Sequence, residues 1–297
     1  MGAAAGFLLA AAWFLLRSML DTTVRRKYEI EDLFTIPILG DVPQMEPAAK
    51  GEKVNKILHN ESPFAVRESY NSIRAKLLFT GKGEKCPVYA ITSADPGEGK
   101  TLTCINLASA YAQLGKKILL IDADMRKSVL AGRYKVGGVE AGLAHYLSGQ
   151  KTLDEVCLKT DIEGMDIIFS GPFVPNPAEL LESQNFHDLV QYCREHYDYV
   201  LIDTPPLGSV IDSAIVAKEC DGAIIVIEAD AVSYRFVQNV KNQLAKSDVK
   251  ILGTVLNKVP MGNGKYGYGK YGKYGYGKYG KYGEYGDYGA YGHDGDK

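Results

Sequence analysis

Six short runs of Ile, Val and Leu, at residues 88–92, 117–122, 166–169, 199–203, 223–228 and 251–256, limit this chain more than any other feature. They do not alternate apolar with polar residues, so the strands they predict are buried on both faces. Turns with glycine or aspartate follow them, then amphipathic stretches of ten or more residues, the rhythm of parallel strands joined by crossover helices. The expected fold class is α/β, a doubly wound, mostly parallel sheet covered by helices. In such sheets ligands sit at the carboxyl ends of the strands, so the residues just past each run are where chemistry is expected.

The two ends of the chain differ from this pattern. Residues 1–16 carry no charge and are followed by Arg17 and then Arg25, Arg26 and Lys27. Sixteen apolar residues fall short of the ~20 needed to span a bilayer, and a signal peptide carries its positive charge before the apolar run. Residues 1–20 therefore read as a partial transmembrane helix, with everything after it on the cytoplasmic face by the positive-inside rule. Residues 21–62 read as a juxtamembrane connector with a short proline-bracketed extended element at 36–43. Residues 63–260 form the globular domain, about 200 residues and one buried core. It opens on Ser62-Pro63 and a helix over 64–79 with Val66, Tyr70, Ile73, Leu77 and Leu78 on one face.

Residues 261–297 hold ten of the twenty tyrosines: Tyr266, Tyr268, Tyr271, Tyr274, Tyr276, Tyr279, Tyr282, Tyr285, Tyr288 and Tyr291. Glycine at every second or third position prevents helix or strand from offsetting the entropy of ordering, so a flexible, disordered tail is expected. Such a tail is a self-associating sticker or a multi-site substrate. Its six lysines against four carboxylates give it a charge of +2, although the whole chain carries -2 with a pI near 6.2. That balance gives no general attraction to nucleic acid. The five cysteines lack pair or metal-ligand spacing and read as reduced thiols of a cytosolic compartment.

After the first run comes Thr-Ser-Ala-Asp-Pro-Gly-Glu-Gly-Lys-Thr, residues 92–101, opening into a helix. Small residues let the backbone curl around an anion and set it on the positive end of the helix dipole. Asp95, Pro96, Gly97, Glu98, Gly99, Lys100, Thr101 and Leu102 are the candidate nucleotide-binding set, Lys100 facing the outer phosphates and Thr101 offering a hydroxyl to Mg²⁺. The strict motif has glycine where this chain has Ala94. Two further runs end in Asp122-Ala123-Asp124-Met125-Arg126 and Asp203-Thr204-Pro205-Pro206. Carboxylates at these strand ends can ligate Mg²⁺, and one can accept the proton of an attacking hydroxyl.

The phosphate loop, the two aspartate motifs, the segments 142–149, 170–181 and 253–257, and the tyrosine tail together resemble the bacterial tyrosine kinases (BY-kinases) of capsule and exopolysaccharide assembly. The segment 1–42 resembles the end of the family's Wzz-type chain-length-determinant membrane adaptor. The resemblance implies a deviant P-loop NTPase fold with ATP and Mg²⁺, Lys100 on the β- and γ-phosphates, and Thr101, Asp122 and Asp203 toward the metal. Asp122, with Asp124 beside it, would activate the tyrosine hydroxyl, and Asn257 would lie near the adenine. The tail tyrosines would be the acceptors of an autokinase that regulates polysaccharide polymerisation and export at the plasma membrane. Its partners would be the membrane adaptor, a protein tyrosine phosphatase and other protein substrates. A homo-oligomeric ring is implied through E-x-x-R-x-x-R, of which Glu68 and Arg74 are present. Asn71 replaces the first arginine and cannot make its bidentate pair. The competing class is a Par/Min-type membrane-associated ATPase switch, which carries a lysine early in the loop; here that position is Asp95.

Overall fold

A computed structural model of the chain describes residues 34–45, 62–80, 85–134 and 141–260, with residues 57–58 and pieces of 6–31. The ten tail tyrosines lie outside the described residues, as does most of the segment read as a transmembrane stub. No helix among the described residues is long and apolar enough to cross a membrane.

The apolar runs become strands β2 (Val88–Ser93), β3 (Ile118–Asp122), β5 (Met165–Ile168), β6 (Tyr199–Asp203), β7 (Gly222–Glu228) and β8 (Ile251–Val259). Two more strands join them, β1 (Ile38–Pro43) and the short β4 (Cys157–Lys159), in the order β1-β8-β7-β2-β6-β3-β5-β4. Every neighbouring pair is parallel except β4 against β5. The proline-bracketed element of the connector is thus one of the two edge strands of the sheet.

Successive residues of each strand feed opposite cores, as a period of two requires. Val88, Ala90, Leu119, Ile121, Val200 and Ile202 pack on one face, and Tyr89, Ile91, Ile118, Leu120 and Leu201 on the other. The second face is covered by α1 (Phe64–Thr80) and α2 (Lys100–Ala112). The first is covered by α3 (Gln184–His196), α4 (Asp212–Lys218) and α5 (Tyr234–Lys246). Burial of Val66, Tyr70, Ile73 and Leu77 fits the expected face of α1, but Leu78 is 54% exposed. One residue past Leu77 turns the side chain about 100° around the helix and off that face.

Candidate active site

The carboxyl ends of β2, β6 and β3 meet at one place. Asp122 and Asp203 are register partners on adjacent parallel strands, so two aspartates from distant parts of the chain stand side by side. The phosphate loop leaves β2 beside them, and α2 begins at Lys100 immediately after Gly99. Gly97 and Gly99 take φ of 92° and 94°, the left-handed region that only glycine enters at low cost. Ala94 is absent from the positive-φ residues and its carbonyl accepts from Gly208 N at 3.1 Å. A Cβ is therefore tolerated where the strict motif has glycine.

Lys100 is nearly buried, and its ammonium lies 3.2 Å from Asp124 Oδ2, 3.5 Å from Asp203 Oδ1 and 3.3 Å from Thr101 Oγ1. Burial alone lowers its pKa, but Asp203, Asp124 and Asp122 outweigh that and hold it above the ordinary value. Asp122 accepts from Ser128 Oγ at 2.5 Å and from Asp124 N at 3.1 Å. Burial, with the Asp203 charge adding to it, raises its pKa to about 7. Asp203 is pushed up by burial and pulled back by Lys100 and Thr101. Three buried carboxylates share one ammonium, so full ionisation of all three would leave negative charge uncompensated. Such a surplus is held at a cost that a divalent cation removes.

That is the fit expected for Mg²⁺, which is usually bound through one or two carboxylates, a hydroxyl, waters and substrate phosphates. Among the described residues no group of three or more His, Cys, Asp or Glu is placed to hold a metal ion by itself, so a hydroxyl, water and substrate oxygens would have to complete the set. Thr101 and Asp203, with Asp122 behind them, are the residues that would hold the ion.

Behind the loop a latch built from β7 and β8 grips its backbone. Asn257 Nδ2 donates to Glu98 O at 2.8 Å, and Lys258 Nζ donates to Gly97 O at 2.9 Å and pairs with Glu228 at 2.6 Å. Lys258 holds φ of 55°, uncommon for a residue with a side chain. The Glu98 carboxylate accepts from Asp95 N at 2.8 Å and from Glu228 N at 3.4 Å. The side chains of Glu98 and Asn257 thus brace the loop, while Pro96, Gly97, Gly99, Lys100, Thr101 and Leu102 line a cavity of about 530 Å³. Its far wall is formed by Asp124, Arg126, Val129, Pro205 and Val210. Arg126 makes a bidentate pair with the buried Asp212, at 2.7 and 3.1 Å. Ser128, Lys258 and Asp212 were not marked by the sequence patterns. Ser128 lies six residues past Asp122, and only the loop geometry returns it to that carboxylate.

Burial raises the Glu98 pKa to about 7, against backbone hydrogen bonds that lower it. A folded value above the unfolded one means that the unfolded chain releases this proton first. Stability therefore falls as pH rises from about 4.5 to 7. Glu98→Gln removes the charge but sets its NH₂ against the N–H of Asp95 or of Glu228, so its stability relative to wild type is expected to rise by up to about 3 kcal/mol between pH 4 and pH 8. Urea midpoints at the two pH values check this; a Gln variant that gains nothing on wild type between them would show that the charge is not what costs stability there.

On the expected oligomer face, Glu68, Asn71 and Arg74 are half-buried along α1. The Nε atoms of Arg67 and Arg74 are buried with no hydrogen-bond partner among the described residues.

A family model described as an AAA domain matches residues 87–252. Tyrosine-protein kinase CpsD of Streptococcus agalactiae is 42% identical over 207 residues, covering 68% of this chain and 90% of that protein. The kinase domain of Escherichia coli tyrosine kinase ETK superposes with a TM-score of 0.73 at 28% identity, over 82% of this chain and 98% of that one. The septum site-determining protein MinD of Pyrococcus horikoshii, complexed with Mg-ADP, reaches a TM-score of 0.50 at 24% identity, over 58% of this chain and 70% of that one, and shares the fold. With its phosphate loop, paired strand-end aspartates and this similarity, the chain belongs to the bacterial tyrosine-protein kinases.

Proposed function

We propose that this kinase uses ATP with Mg²⁺ to phosphorylate the ten tyrosines of residues 261–297, and that the number of phosphates placed there regulates polysaccharide polymerisation and export. The observation that carries the proposal is the junction of Lys100, Thr101, Asp124 and Asp203 at strand ends beside a cavity of about 530 Å³. A cavity of that size falls in the range of small-molecule sites.

Lys100 exchanges Asp124 and Asp203 for the β- and γ-phosphates, a trade of one set of anions for another. Thr101, Asp203 and Asp122 would hold the Mg²⁺, which when bound would neutralise charge on the transferring group. Asn257 is the candidate neighbour of the base. Transfer forms the tyrosine O–P bond, breaks the P–O bond to the ADP leaving group and releases the phenol proton. Asp122, buried beside Asp203 and the phosphate loop, is the candidate to take that proton. Phosphoryl transfer otherwise asks mainly for placement and charge neutralisation.

If glycine-rich residues 261–297 behaved as a random coil of ~5 to 6 Å × √n, their reach would be roughly 30 to 35 Å, compatible with acceptance in cis or in trans. Residues 1–20 tether the kinase to the plasma membrane, with the catalytic domain on the cytoplasmic face and a membrane adaptor as partner. The family resemblance favours a homo-oligomer with Glu68 and Arg74 of α1 as contacts, despite Asn71. Each phosphotyrosine adds about -1.5 to -2, so the first one or two cancel the tail's +2 and later ones drive tails apart until a phosphatase resets them.

Incubating the full chain with ATP, with and without Mg²⁺, and mapping phosphotyrosine tests the reading. Phosphate on tail tyrosines that requires Mg²⁺ is the expected result. ATP hydrolysis without tail phosphotyrosine would instead favour the Par/Min-type switch.

A further inference from the structure

We infer that Lys127 and Arg133, on the rim of the cavity, select acceptor tyrosines by charge, so that the tail is phosphorylated directionally from its C-terminal end. This deepens the proposed tail phosphorylation and rests on it.

The cavity is lined by four cationic residues, Lys100, Arg126, Lys127 and Arg133, against a single carboxylate, Asp124. Lys100 is committed to Asp124 and Asp203, and Arg126 to Asp212 through two hydrogen bonds. Lys127 and Arg133 are exposed, and neither has an ion-pair partner among the described residues. Their backbones are fixed: Lys127 N donates to Asp124 Oδ1 at 3.0 Å, and Arg133 N donates to Val129 O at 3.1 Å in the short helix Leu130–Arg133. In the same cavity, Val129, Pro205 and Pro206 give apolar surface suited to a phenol ring.

The tail is graded to match. Tyr266, Tyr271, Tyr274, Tyr279 and Tyr282 each follow a lysine, whereas Tyr285 follows Glu284 and Tyr288 follows Asp287. Two uncompensated cations attract the carboxylate-flanked tyrosines and repel the lysine-flanked ones. Between Tyr266 and Tyr291 no two successive tyrosines are more than three residues apart. A phosphate on Tyr285 places about -1.5 to -2 beside Lys281 and Tyr282, reversing the local sign. Each product thereby prepares the next acceptor toward the N-terminal side.

Time-resolved phosphosite mapping on the full chain tests this at about 50 and 500 mM salt. In wild type, Tyr285 and Tyr288 are expected to gain phosphate about five-fold faster than Tyr266 at low salt, the gap closing at high salt. Lys127→Ser with Arg133→Ser should bring the ratio close to one. Because both line the cavity, the order is read at saturating ATP and the KM for ATP is measured alongside, to separate acceptor selection from nucleotide binding. Lys265→Glu with Lys270→Glu should bring Tyr266 and Tyr271 forward. An order that survives Lys127→Ser/Arg133→Ser would reflect reach of the free end and overturn the inference, as would simultaneous filling in wild type. A raised KM for ATP with the order intact would assign the two cations to nucleotide. A chain that never phosphorylates its tail would remove the proposed function itself, a result distinct from any change of order.

Discussion

Lys100→Met is expected to abolish detectable tail phosphotyrosine and to lower kcat/KM by about 10³-fold, the scale of losing one preorganised charge at the reacting group. The same change acts on the fold. Asp124 and Asp203 lose the ammonium that lies 3.2 and 3.5 Å away, while Asp122 and Asp203 are already raised by burial. Removing one partner of a buried charge cluster costs about 3 to 5 kcal/mol. Because the stranded carboxyls favour their protonated forms in the folded state, stability falls as pH rises through their folded values. The variant's deficit should therefore be largest near pH 8 and shrink toward pH 5. Thermal melts at both pH values separate the two consequences: activity lost at both, stability recovered at the lower. A deficit independent of pH would mean that Lys100 stabilises the fold by packing rather than by charge.

Gly99→Ala is the second large effect. The residue sits at φ of 94° between the loop and α2, and a Cβ there would overlap the Asn257 side-chain amide. Strain at a glycine-only conformation costs on the order of 1 to 3 kcal/mol, and relief requires moving either the loop or the Asn257 hydrogen bond to Glu98 O. Nucleotide affinity is expected to fall by about 100-fold, with the melting temperature lowered by only a few degrees, since the sheet and both cores are untouched. Gly97→Ala offers a graded comparison: φ is 92°, yet nothing lies within 4 Å of its Cβ, so the loss should be smaller. Calorimetric ATP titration of the two variants checks the order; equal losses would remove Asn257 from the account.

The fold was legible wherever burial on both faces suppressed alternation. Ile118, Leu119, Leu120 and Ile121 serve opposite cores, and only a doubly covered sheet asks for apolar residues at four successive positions. Asp122, Asp203 and the neighbouring Asp124 were legible because they end or follow an apolar run, and Lys100 and Thr101 because they carry a glycine-rich loop into α2. The latch was not: Lys258 follows the last apolar run by two residues, and nothing local marks that its ammonium reaches a loop 161 residues earlier. Nor did the sequence show that the Asn257 amide braces the loop through Glu98 O. The role of 36–43 was hidden for a related reason. A strand that pairs with a partner more than 200 residues later, Ile38 with Thr254, shows no sign of that pairing in its own sequence.

That pairing bears on how the protein can be cut. Val24, Ile30, Phe34 and Ile38 are buried in one core and Leu39 and Val42 in the other, Thr254 N donates to Pro37 O at 2.8 Å, and Gln44 N donates to Val259 O at 2.8 Å. A fragment starting at residue 62 would shed all of them and leave the nine-residue β8 as an open, parallel-facing margin. Unpaired strand margins of that length recruit other chains. Such a fragment would lose solubility before losing its nucleotide site, and the margin it exposes belongs to the strand whose far end, at Asn257 and Lys258, holds the phosphate loop in shape.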